Sequence, residues 1–338
     1  MAPRSTAESF DEFDASLNLD PLEREQAQRR HQEITEVLTV VGIAKSTFLQ
    51  GSFARKTMPK PLKDVDMVVL LAEVYRAPWF GPGRGGPAAA MAEIRAAVAS
   101  RWPNARFDAE KQSPHALQVT FSDCTFTVDL VPAFDDPEGS EDVFIADRDL
   151  DRWEWSNTRT LRRVVTERNL ETLGAFVHQV RMGKAFKSHE PVLEKLCGLA
   201  VESLWYAAIK KKMPHATAMV TAFEYAAVAV QGKVLDPTGV DDLAKDWTPG
   251  ERHMFSQAFA LAAKRGREAL RLAADGEHQG AIEIWFALFG EPFPAPSTQT
   301  AAQALSALSA GSITSTGRAV ASQRGAQVNR PARSWRTR

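Results

Sequence analysis

The run DVDMVVLL (residues 64–71) opens on two acids separated by a valine and passes into unbroken apolar sequence. Successive side chains of a strand point to opposite faces, so Asp64, Asp66 and Val68 share one side and Val65, Met67 and Val69 the other. The pattern predicts a buried strand over about 65–72 with two carboxylates at its mouth. A second alternation covers 125–131: Phe126, Val128 and Leu130 form an apolar face, Asp129 lies opposite, and Pro132 is expected to close the strand. HALQVTF, just upstream, reads as another strand, joined to it by a tight turn at Ser122-Asp123.

Helical patterning surrounds these strands. Asp20 as N-cap, Pro21 at the first position and Gly42 at the stop delimit one helix, preceded by a short apolar lead-in of Phe10, Phe13, Leu17 and Leu19. A short link follows Gly42. Residues 75–90, rich in Gly and Pro, read as a loop, and 91–102 as a helix. From about 160 to 290 Ala, Leu and Glu dominate and helices are expected throughout. The layout is α+β: a mixed-sheet core over 1–160, a helical lobe over 161–293 and a tail over 294–338. That tail is rich in Ser, Thr, Ala and Gln. It carries Arg318, Arg324, Arg330, Arg333, Arg336 and Arg338 without a single acid, the composition of a poorly ordered basic terminus.

Bulk composition narrows the function classes. A chain of 338 residues, 44% hydrophobic and 25% charged, can bury a large core. Its formal charge of -1 gives no global attraction to nucleic acid or membrane, so any anion site is local and no nucleic-acid activator is evident. No run reaches about 18 uninterrupted apolar residues, and the N-terminus lacks an apolar signal core. Cys124 and Cys197 lie far apart and read as reduced, buried side chains of a cytoplasmic protein.

The candidate chemistry lies in the acids. Asp64 and Asp66, two strand positions apart, have α-carbons roughly 6.5 Å apart, close enough to converge on one cation or a close pair. If the strand bearing Asp129 pairs beside theirs, three carboxylates meet and require compensating cations; hard oxygen donors suit Mg²⁺ or Mn²⁺. Any one of these acids alone would read as a strand-end aspartate facing water. Gly51-Ser52, twelve residues ahead of Asp64, supplies a close backbone approach and a hydroxyl for phosphate oxygens. The stretch is not a Walker A loop. Other features carry less. His31-x-Glu33 lacks the P-C-x-x-C of a zinc deaminase, and His115, His178, His189, His215, His253 and His278 form no close ligand motif. Trp153 and Trp155 could stack on a base or pack in the core, and Arg159, Arg162 and Arg163 could face an anionic cleft.

GSFARKTMPKPLKDVDMVVLL and FTVDLVPAF together resemble the acid-bearing strands of the DNA polymerase beta superfamily. Within it they are similar to the bacterial cGAS/DncV-like nucleotidyltransferases, or CD-NTases. VRMGKAFK followed by CGLAVESLW resembles that family's Arg/Lys helix and the helix after it, so the likeness spans roughly residues 8–210. It implies a two-lobed enzyme that builds cyclic oligonucleotide signals from NTPs in anti-phage defence, with a regulatory protein or effector encoded nearby. By position, Asp64 and Asp66 would hold two Mg²⁺ (or Mn²⁺) ions and Asp129 would complete one site. Gly51 and Ser52 would bind the donor triphosphate, and Lys184, with Lys187 or Arg181, would neutralise its charge. An ordinary solvated helix face is the alternative for those three cations. Where many relatives carry Ser-Tyr, this chain has Gly198-Leu199, so base recognition does not carry over. Two other readings remain: transfer to a small molecule, protein or tRNA, and an inactive nucleotide- or partner-binding module.

Overall fold

The computed structural model describes residues 4–107 and 113–296; the basic tail beyond 296 lies outside them. Two helices lead in, α1 (Thr6–Leu17) and α2 (Pro21–Val40), each opened by a capping box. Ser5 and Glu8 close the first, Asp20 and Glu23 the second, so that two orphan donors are satisfied reciprocally in each. The apolar lead-in is thus a helix in its own right. The link after Gly42 is a strand, β1 (Ala44–Leu49), followed by a single turn α3 (Gly51–Ala54) and then β2 (Asp64–Leu71).

The Gly/Pro-rich stretch holds a short helix, α4 (Arg76–Trp79), and α5 (Gly86–Arg101) begins earlier than its alternation implied, with Pro87 in its first turn. β3 (Leu117–Thr120) and β4 (Thr127–Asp135) form the expected antiparallel pair. Pro132 does not end β4: it sits opposite Val69 of β2 and the strand runs on to Asp135. A hairpin, β5 (Val143–Asp147) and β6 (Arg152–Ser156), completes the six-stranded sheet, ordered β1-β2-β4-β5-β6 with β3 also on β4. All pairs are antiparallel except β2–β4, which is parallel.

The helical half comprises α6 (Thr158–Glu171), α7 (Ala175–His189), α8 (Gly198–Ala208), α9 (His215–Ala229), α10 (Pro249–Ala274) and α11 (His278–Phe289). One face of the sheet, with Val65, Met67, Val69 and Leu130, packs on Ile34 and Leu38 of α2 and Ile94 and Val98 of α5. The other face carries a small cluster of Val68, Leu70, Val131, Ala133 and Val143. Phe10, Phe13 and Leu17 of α1 pack against neither face. They belong to the helical core with Trp205, Phe259, Trp285 and Phe289, and Phe10 meets the Trp285 ring edge-on at 5.0 Å. The first helix of the chain is therefore built into the last core, and it straps the sheet to the helical lobe. Cys197 is exposed rather than buried; its sulfur accepts from the Ala200 N–H at the start of α8. Among the described residues no helix is long and apolar enough to cross a membrane.

Candidate active site

Parallel pairing of β2 with β4 sets Asp66 directly opposite Asp129, with Asp64 opposite Thr127. Alternation then turns all three carboxylates to the sheet face away from α2 and α5. Their environment resists full ionisation. Burial, then repulsion from Asp64 and Asp129, pushes Asp66 up to about 6. Burial raises Asp64, opposed by Lys184 and Lys63. Asp129 is also raised by burial, partly offset by a hydrogen bond from Gln118 Nε2 to its Oδ1 at 3.0 Å. Three crowded oxygen donors that repel one another are a fitting receptor for a hard divalent cation.

Gly51 abuts this group. Its φ of +69° lies in the left-handed region, and a Cβ there would fall 1.7 Å from Asp66 Oδ2. Only glycine fits. The Gln50 N–H bonds the Asp66 carbonyl at 2.9 Å, which fixes α3 against β2. As first-turn groups, the N–H donors of residues 51–53 have no intrahelical carbonyl to bond.

Asp64, Asp66, Gly51 and Ser52 line a cavity of about 720 Å³ between the sheet and the helical lobe, whose far side includes Lys184, Lys187 and Gly198. That volume suits a nucleotide-sized ligand. Asp129 stands beside Asp66 without lining it. The three cations of α7 diverge. Lys187 is half-buried at the cavity. Lys184 is buried and donates to Thr57 Oγ1 at 3.1 Å and Glu202 at 3.3 Å. Arg181 points elsewhere, to Asp14 of α1 and the Lys56 carbonyl, both at 3.4 Å. It ties the lobes together and does not line the cavity.

Behind Lys184 lies a network that the sequence did not signal. Glu202 of α8, fully buried, accepts from Arg55 Nε at 2.6 Å, from Thr57 at 2.7 Å and from Lys184. Arg55 and Lys184 hold its carboxyl down at about 2 against the effect of burial. Because Arg55 and Thr57 follow α3 while Lys184 and Glu202 belong to the helices, the network joins the two walls of the cavity. A lone Glu among apolar positions of α8 is the only local trace of it.

The other candidates settle away from the acids. The Trp153 ring packs edge-on against Phe134 at 4.6 Å, and Trp155 is exposed on β6. Arg159 stacks over Phe48 and bonds the Glu141 carbonyl, while Arg163 pairs with Glu141 and Glu167.

The mixed sheet carries paired acids on one strand, a third on its parallel neighbour and a glycine-led turn against them. Residues 5–169 match the family model of the Second Messenger Oligonucleotide or Dinucleotide Synthetase domain. The E. coli MS115-1 CdnC:HORMA-deltaN complex superposes with a TM-score of 0.67 at 15% identity, over 85% of this chain and 98% of that one. Bradyrhizobium diazoefficiens CdnG in complex with GTP gives 0.63 at 13%, over 85% and 96%. Vibrio cholerae DncV in its apo form gives 0.56 at 13%, over 86% and 87%. No curated protein matches the chain. Over residues 5–169 the chain is thus similar to that synthetase domain, and over most of its length it shares the fold of solved CD-NTase structures.

Proposed function

We propose that this enzyme builds an oligonucleotide second messenger, cyclic or linear, from nucleoside triphosphates. The acceptor ribose hydroxyl bonds to the α-phosphorus of a donor triphosphate and pyrophosphate leaves. The observation that carries this reading is Asp66 paired beside Asp129 at the wall of a nucleotide-sized cavity whose far side holds Lys184 and Lys187.

In this reading Asp64 and Asp66 hold two divalent cations, Mg²⁺ or Mn²⁺, and Asp129 completes one site. Bound there, such ions polarise phosphoryl oxygens and acidify a coordinated hydroxyl. Ser52 and the free N–H groups of residues 51–53 receive triphosphate oxygens, as Gly51 lets the backbone approach. Lys187 neutralises their outer charge, and Lys184 supports the site from its place on Glu202. Asp129 is oriented by Gln118 and so placed to take the acceptor hydroxyl proton as the O–P bond forms.

Residues 1–160 serve as the catalytic core, 161–293 as the helical lobe and 294–338 as the tail, with α1 docked on the lobe. We extend the proposal to anti-phage signalling under a regulatory protein partner, a reading supported by the resemblance and by one similar protein described in complex with a HORMA protein. Incubation with all four NTPs and Mg²⁺ or Mn²⁺, followed by mass spectrometry of phosphatase-resistant products, tests the reading. A resistant cyclic species or a linear oligonucleotide is expected. A nucleotidylated protein or RNA would instead assign a different acceptor. No pyrophosphate from any NTP mixture, with or without the partner, would leave a binding module.

A further inference from the structure

β4 changes partners partway along its outer edge. β3 pairs with residues 127–130 and β5 with residues 133–135, so Val131 and Pro132 have no ladder partner on that side. Pro132 has no N–H to waste there. The lead-in to β3 and the end of β5 close the seam: the Arg148 N–H bonds the Pro114 carbonyl at 2.9 Å, and His115 Nδ1 lies 2.9 Å from the Ala146 carbonyl. His115, Asp147 and Glu154 meet at this seam, one ligand atom from each lying within 4.8 Å of the others. Sequence motifs gave no hint of the group, because its members come from three segments.

We infer that His115, Asp147 and Glu154 form a second cation site, separate from the aspartate triad and selective for Zn²⁺ over Mg²⁺. The imidazole is set for this. A carbonyl oxygen only accepts, so Nδ1 carries the proton and Nε2 presents its lone pair, the arrangement that orients histidine ligands through an outer hydrogen bond. Asp147 is only 5% exposed and has no ion pair among the described residues. Its Oδ1 accepts the N–H groups of Asp149 and Leu150 at 3.0 and 2.9 Å, which fixes the carboxyl and leaves Oδ2 for a ligand. Glu154, opposite Ile145 in the β5–β6 ladder, receives Arg152 on Oε1 and keeps Oε2.

One nitrogen and two carboxylate oxygens suit a borderline ion, whereas Mg²⁺ prefers oxygen alone. Ligands about 2.0–2.2 Å from Zn²⁺ stand roughly 3.3–4.3 Å from one another, so a rotamer adjustment of half-buried Glu154 closes the set. The bound ion clamps the β5–β6 hairpin to the lead-in of β3, the strand whose Gln118 holds Asp129.

The experiment uses the full chain with Asp64→Asn, Asp66→Asn and Asp129→Asn, stripped by chelator and titrated with Zn²⁺ against a chromophoric chelator in millimolar Mg²⁺. One equivalent of Zn²⁺ is expected, with a rise in the thermal unfolding midpoint that Mg²⁺ alone does not produce. His115→Ala on that background should abolish uptake, and Glu154→Gln, the milder change, should weaken it at least tenfold. No uptake by the triple variant, or uptake unchanged by both further substitutions, would overturn the site.

Discussion

Glu202→Gln probes the link between the two walls of the cavity. The substitution keeps the shape of the side chain and removes its charge. Arg55 and Lys184, whose side chains are 7% and 10% exposed, are then left facing each other without their counter-ion. Removing one member of a buried, hydrogen-bonded ion group costs about 3–5 kcal/mol, because the survivors stay desolvated. A large share of an ordinary folding free energy of about 5–15 kcal/mol would be lost. Urea unfolding should show a lower midpoint at unchanged slope, and the thermal midpoint should fall by roughly 4–7 °C. The cost depends on pH in a definite direction. The folded carboxyl titrates at about 2, below its ordinary 4.5, so its stabilisation is complete above about 4.5 and lost as pH falls towards 2. The difference between parent and Glu202→Gln should therefore shrink over that window. A triple replacement of Arg55, Lys184 and Glu202 by Met, which removes every charge together, should recover most of the stability while losing activity. A Glu202→Gln variant within 1 kcal/mol of the parent at pH 7 would refute the assignment of Glu202 as the buried counter-ion.

Asp66→Asn should abolish pyrophosphate release and at the same time stabilise the cation-free protein at pH 7.5. The ionised carboxylate is opposed by burial and by two like charges, a penalty on the order of 1–3 kcal/mol that urea unfolding in chelator would detect. Gly51→Ala places a methyl against Asp66 Oδ2 in a left-handed backbone conformation. Turnover should fall by at least a hundredfold with the circular dichroism spectrum retained, whereas near-parental turnover would exclude the close packing of α3 on β2. Phe10→Ala should cost about 3–5 kcal/mol in urea unfolding, since its ring is enclosed by Trp285, Phe289 and Phe293 of the helical lobe; a change under 1 kcal/mol would mean that α1 is not part of that core.

Local pattern made much of this molecule legible. Period-two alternation in DVDMVVLL and FTVDLVP assigned both strands and the side from which each acid emerges, and Asp20, Pro21 and Gly42 marked α2 because capping is chemistry between near neighbours in the chain. β1 and the β5–β6 hairpin escaped notice. AKSTFL is too short and too polar to alternate clearly, and RWEWS owes its strand to pairing with β5. Pro132 misled for a related reason: a missing N–H ends a strand only where a partner needs that donor, and the outer edge of β4 is unpaired at that point.

The sequence by itself determined which acids could form a site, since residue type and strand period are local properties. The tertiary structure decided the rest. Parallel pairing of β2 and β4 placed Asp66 opposite Asp129, and that register is a contact between residues far apart in the chain. Packing separated three cations that share a helix, sending Arg181 to Asp14, Lys184 to Glu202 and Lys187 to the cavity. Spacing along a helix specifies direction alone, whereas the partner met in that direction comes from another segment, and burial makes its charge decisive.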